Sequence, residues 1–137
     1  MSVITQSLYD RLSGDATLVG LLGAYGGQPA IFTTDPAPGD AVLPYIVTAG
    51  EVAQSPADTK NSRGRQLMRD VRCYAADSGS AETIEAIAER VRFLLHRYEL
   101  VISSWQTVIA DCTGPVVADE KDAYGRIVTV NYRIEEA

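Results

Sequence analysis

The sequence predicts a two-layer α+β domain: a mostly antiparallel β-sheet packed against one long helix, with short helices at the N-terminal side. Three observations point there. One segment, 81–98, carries apolar residues at helical spacing throughout. Several others, most clearly 66–75 and 127–134, alternate apolar and polar as half-buried strands do. The elements follow in the order α-α-β-β-β-α-β-β-β, so one long helix must cover the sheet. The chain has 137 residues, which leaves room for one domain spanning 1–137. It is 46% hydrophobic and 22% charged, enough apolar matter for a core and too much for wholesale disorder.

The first helix is marked by Ile4, Leu8 and Leu12, one stripe at i, i+4 and i+8. Ser13-Gly14-Asp15 interrupts it, with Gly14 in the place of a C′ glycine. Asp15 can cap a second helix over 16–22, closed by Gly23. Residues 23–43 are punctuated by glycine and proline and read as turns and loop, apart from a short strand at 30–33. A strand over 43–52 follows, with Pro44 at its start because proline cannot donate to a ladder. Residues 54–65 are polar and hold Pro56 and Gly64, which predicts a flexible loop.

The strand over 66–75 places Leu67, Val71, Cys73 and Ala75 on one face, with Arg69 spoiling the alternation. Ser80 can then cap the helix 81–98. Its stripe is Ile84, Ile87, Ala88, Val91, Leu94, Leu95 and Tyr98, with glutamates early and arginines late, as the helix dipole prefers. Segments 105–111 and 115–118 are β-like. The turn 119–125 leads to a strand in which Val128, Val130, Tyr132 and Ile134 alternate with Ile127, Thr129, Asn131 and Arg133. The last pieces therefore form a hairpin with a long tip.

Charge and composition exclude several functions. The formal net charge is −6, which argues against a strongly basic nucleic-acid binder. No apolar run approaches the roughly 20 residues of a membrane span. The N-terminus has neither a basic n-region nor an apolar h-region, so no signal peptide is expected. His96 is the sole histidine and reads as a surface residue near a helix C-terminus. Cys73 and Cys112 lack zinc-ligand spacing and read as small apolar strand residues. No nucleophile has a base in a known motif, and the glycines at 23–27 are not followed by Lys-Ser/Thr. The sequence points to no enzyme, no metal and no cofactor.

Two charged segments remain as candidate contact sites. Lys60, Arg63 and Arg65 lie against Asp58 in the polar loop, with no interleaved aromatics for base stacking. Asp119, Glu120, Lys121 and Asp122 form the closing hairpin tip. They could hold a hard cation weakly, but the EF-hand pattern is absent.

The order of local signatures resembles the tail-completion, or tail-terminator, family of long-tailed bacteriophages of the siphophage type. Leu8-Tyr9-Asp10-Arg11-Leu12 matches a helical Leu-Tyr-x-x-Leu, and 15–23 match Asp-Ala-x-Leu-x-x-Leu-x-Gly. A short strand and Leu43-Pro44-Tyr45-Ile46-Val47 follow, then a polar loop, a strand, the long helix and a hairpin. The chain departs from the family at the closing turn, where 119–125 replaces a compact Asp-x-Asp-Gly. The resemblance implies a structural virion protein assembled in the host cytoplasm. Six copies would form a ring on the head-proximal end of the tail tube, end tube growth and offer a docking face to the neck. Its partners would be itself, the tail tube protein and a head-proximal neck or stopper protein. DNA would pass the lumen without sequence-specific binding, and no membrane is involved. Within the resemblance, Lys60, Arg63 and Arg65 would meet the tube or a neighbouring subunit. Other readings are another head–tail joining protein, a prophage or gene-transfer-particle homologue, and a small enzyme or ligand-binding domain.

Overall fold

The computed structural model describes residues 2–34, 37–100, 102–120 and 122–136. Helix α1 (Ser2–Ser13) and the single turn α2 (Ala16–Val19) precede three two-residue strands, β1 (Ala24–Tyr25), β2 (Gln28–Pro29) and β3 (Ile31–Phe32). Then come β4 (Tyr45–Pro56), β5 (Gly64–Ala76), α3 (Glu82–Leu95), β6 (Trp105–Val117) and β7 (Ala123–Glu136). The main sheet runs β3-β4-β5-β7-β6. Only β3 and β4 pair in parallel; β4–β5, β5–β7 and β6–β7 are antiparallel. The predicted fold class is the observed one.

Helices cover one face of the sheet. The α3 stripe, Ile84, Ile87, Ala88, Val91, Leu94 and Leu95, is buried. It shares a core with Ile4, Leu8 and Leu12 of α1, with Leu67, Val71, Cys73 and Ala75 of β5, and with Val128, Val130, Tyr132 and Ile134 of β7. Matching periodicities of helix and strand thus meet as expected. The other face is covered at one end by residues from the 23–45 segment. There Tyr25, Phe32, Tyr45 and Tyr74 form a chain of tilted and edge-on rings with centroids 5.2, 5.6 and 5.5 Å apart. Between β1 and β2, Gly26 and Gly27 both have positive φ (59° and 81°), the requirement of a type I′ hairpin turn.

Several boundaries differ from the sequence reading, each for a local reason. Helix α3 ends at Leu95, short of Tyr98, because His96 is extended and Arg97 turns to φ 61°. The Arg97 N–H instead bonds the Ala110 carbonyl at 2.7 Å, so the chain leaves the helix to join β6. Ser80 does act at the start: its hydroxyl accepts from the Glu82 N–H at 3.3 Å. Helix α2 stops at Val19, after which Leu21 and Leu22 bond three residues back in a tightened turn. Segments 105–111 and 115–118 are one strand, β6, whose register shifts at 107/109 and 113/116. The loop expected over 54–65 narrows to 57–63, since β4 runs through Pro56 and β5 starts at Gly64.

His96 is not a free surface group. Its Nδ1 accepts the Cys112 N–H at 3.1 Å and ties the end of α3 to β6. Arg69, the residue that spoils the β5 alternation, does sit on the core face at 6% exposure. Its guanidinium donates to Thr5 Oγ1 of α1 at 2.7 Å, so a charge-assisted bond accompanies its burial.

Candidate assembly surfaces

The β4–β5 turn places the cations of the 57–65 region at one end of the sheet. The turn is closed from within: Asp58 Oδ1 accepts the Gly64 N–H at 3.0 Å, and Thr59 and Ser62 bond each other. The Glu136 N–H reaches the Arg63 carbonyl at 2.9 Å, so the end of β7 lies against the turn. Strand order then does what the sequence does not display. Trp105, the first residue of β6, pairs with Glu136 and arrives beside β5 residues forty positions earlier. The result is a cleft of about 570 Å³ lined by Arg63, Arg65, Trp105, Asp58 and Glu136 among others. The Arg65 guanidinium lies 5.8 Å from the Trp105 ring centroid, within cation–π range. Lys60 lines an adjoining cleft that shares Asp58, Arg63 and Glu136. The three cations expected together are therefore neighbours in space, and Trp105 joins them.

The acidic tip, which joins β6 to β7, lies at the opposite end of the sheet. Asp119 is largely structural: its Oδ1 accepts from the Gly125 N–H at 2.9 Å and from Arg126 at 3.2 Å. Gly125 passes so close to the Ala118 carbonyl that a Cβ there would collide with it. Glu120 Oε1 accepts the Tyr74 hydroxyl at 3.2 Å. Burial, then the Glu120 charge, raise the Tyr74 hydroxyl above the ordinary value of 10.0. Asp122 is exposed. Lys121, the fourth tip residue, lies outside the described residues.

Between the two ends runs β6, the outer strand of the sheet. Val108, Ile109, Val116 and Val117 are exposed on it, the last two at 61% and 62%. Sequence reasoning missed this edge and missed Trp105. The signal for both was the failed alternation of 105–117, which a register shift produces when a strand is bulged.

Among the described residues no group of three or more His, Cys, Asp or Glu could hold a metal ion. The Cys73 and Cys112 thiols are free and buried, and burial pushes them up to about 12 and about 11, away from the reactive thiolate. Among the described residues no helix is long and apolar enough to cross a membrane.

The two-layer α+β domain presents charged groups at both ends of its sheet and exposed apolar side chains along β6. The model of the tail completion protein gp17 family matches residues 6–135, and the chain belongs to that family. The fold is also that of a chain in a solved structure, "Virion of native gene transfer agent (GTA) particle", at 21% identity. The likeness covers 96% of this chain and 94% of that one, with a TM-score of 0.78. A comparison with curated proteins finds no match. Family membership points to a structural, non-catalytic protein of a virion tail.

Proposed function

We propose that this chain is a tail terminator. Six copies form a ring on the head-proximal end of the tail tube, stop tube polymerisation and present a face to the neck. The observation that carries the reading is the tail-completion family match over residues 6–135. Two features are in keeping with it. The candidate contact residues lie at the ends of the sheet and along its β6 edge. The overall charge of −6 suits a channel through which DNA passes without adhering, because each phosphate–cation contact would add affinity. The partners in this reading are a second copy, the tube protein and a neck protein, and the place of assembly is the host cytoplasm. Particles produced without this chain test it: tails should be of irregular length and remain unjoined to heads. Normal, joined tails in its absence would overturn the proposal.

A second reading is a gene-transfer-particle version of the same component, favoured by the fold-level likeness to a chain in such a virion. Sequencing DNA from purified particles separates them. A single packaged genome fits a phage, and fragments drawn from the whole host chromosome fit a transfer particle.

A further inference from the structure

We propose that copies of this chain associate head to tail, the Arg63–Arg65–Trp105 cleft of one copy receiving the acidic β6–β7 tip of the next. The inference rests on the ring reading above and names the contact from which the ring is built.

The two patches carry opposite charge. The cleft region gathers Lys60, Arg63 and Arg65 with an indole face, against Asp58, whose carboxylate is committed to the turn, and Glu136. The tip presents Glu120 and Asp122, with Asp119 already held by Arg126 and the Gly125 N–H, and the sequence adds Lys121. In a chain of net charge −6 the cleft region holds three cations against two carboxylates, Asp58 and Glu136, and an acidic segment is the complementary occupant. An exposed acidic tip of the same chain is available at equal concentration.

The patches cannot meet within one molecule. Trp105 opens β6 and Val117 closes it, and the β6–β7 connection follows directly. Thirteen residues of strand, at about 3.3 Å each, separate the two ends by roughly 40 Å. Two different patches on opposite ends of a subunit define a heterologous contact, the kind that closes a cyclic ring when its rotation permits.

A two-fold pairing of β6 edges would also bring cleft to tip, and the exposed valines would lie between. The strand is ill-suited to it. Register shifts at 107/109 and 113/116 break the straight ladder that edge pairing requires, a common guard on exposed edges. The head-to-tail arrangement needs no ladder.

Arg63 and Asp122 are both exposed, and neither side chain makes a described contact inside the subunit, so both can be changed without disturbing the fold. A chain carrying Asn61→Cys and Val117→Cys, exposed positions beside the two patches that leave their charges in place, replaces the natural one in particle-producing cells. Purified tails are treated with a short bismaleimide and resolved by denaturing electrophoresis. The buried Cys73 and Cys112 leave the natural chain as an unlinked control. The expected product is a ladder of dimer, trimer and higher species ending at one closed size. Products that stop at dimer would indicate two-fold pairing and overturn the proposal, as would no product beyond the control. A ladder with no terminal size would uphold the contact and overturn the ring. Charge reversal gives an independent reading should the cysteine chain fail to enter tails. Arg63→Glu or Asp122→Lys alone should lower incorporation at least about tenfold, and the two together should restore it. Failure of the double reversal to restore incorporation overturns the pairing.

Discussion

Arg90 of α3 grips Asp15, the N-cap of α2, with two hydrogen bonds: Nε to Oδ2 at 2.9 Å and Nη2 to Oδ1 at 2.7 Å. The same carboxylate accepts the Leu18 N–H at 2.9 Å, so one side chain caps α2 and fastens it to the long helix. The pair is partly open to solvent, and its attraction is screened accordingly. The Arg90 bond holds the Asp15 carboxyl at about 2, below its ordinary 3.8, with the Leu18 amide adding to the effect and burial opposing it. A depressed carboxyl contributes stability that is full above 3.8 and fades as pH falls towards about 2. Urea midpoints should therefore fall more steeply across that window in the natural chain than in Asp15→Asn, which keeps a capping oxygen but has no charge to lose. Parallel curves would remove Asp15 from the acid response.

Val91 sits at the centre of the α3 stripe at 0% exposure, against strands β5 and β7. Val91→Ala should destabilise the chain by about 1–3 kcal/mol, through lost burial and the void left behind. Chemical denaturation measures this, and a change within error would mean that the helix does not carry the core.

Tyr132 is a core residue at 2% exposure whose hydroxyl has no hydrogen-bond partner among the described residues, and burial raises it above its ordinary value. Removing an unpartnered buried hydroxyl leaves the ring packing in place. Tyr132→Phe should be neutral or stabilise by up to about 1 kcal/mol. A loss of similar size would show that the hydroxyl has a partner in solution.

Cys73 and Cys112 should resist a thiol reagent at neutral pH until the chain unfolds, since burial disfavours both thiolates. Titration with a chromogenic disulfide reports this directly. Two thiols should react together on addition of denaturant, and prompt reaction of either in native buffer would contradict the burial.

The elements legible in the sequence are those whose buried face repeats with one period. The α3 stripe from Ile84 to Leu95 and the β7 set Val128, Val130, Tyr132 and Ile134 have that property, and both are core. Arg69 breaks the β5 alternation for a reason that is not local. Its partner, Thr5, lies 64 positions away, so nothing local explains a charge on the buried side. Residues 54–56 extend β4 with exposed side chains that show no alternation, and β5 begins at Gly64 and the half-buried Arg65, where no apolar side chain marks a strand. The cation cluster was legible because Lys60, Arg63 and Arg65 are close in sequence. The cleft was not, because Trp105 reaches it only through the order β5-β7-β6.

The central claim is that this chain closes the head-proximal end of a tail as a ring. Electron cryo-microscopy of purified tails, with the chain's mass share measured in the same preparation, tests it most directly. The account predicts a six-fold density at that end alone, with a mass six times the 14.8 kDa chain. A single copy per tail, or density at the distal tip or along the tube, would contradict it.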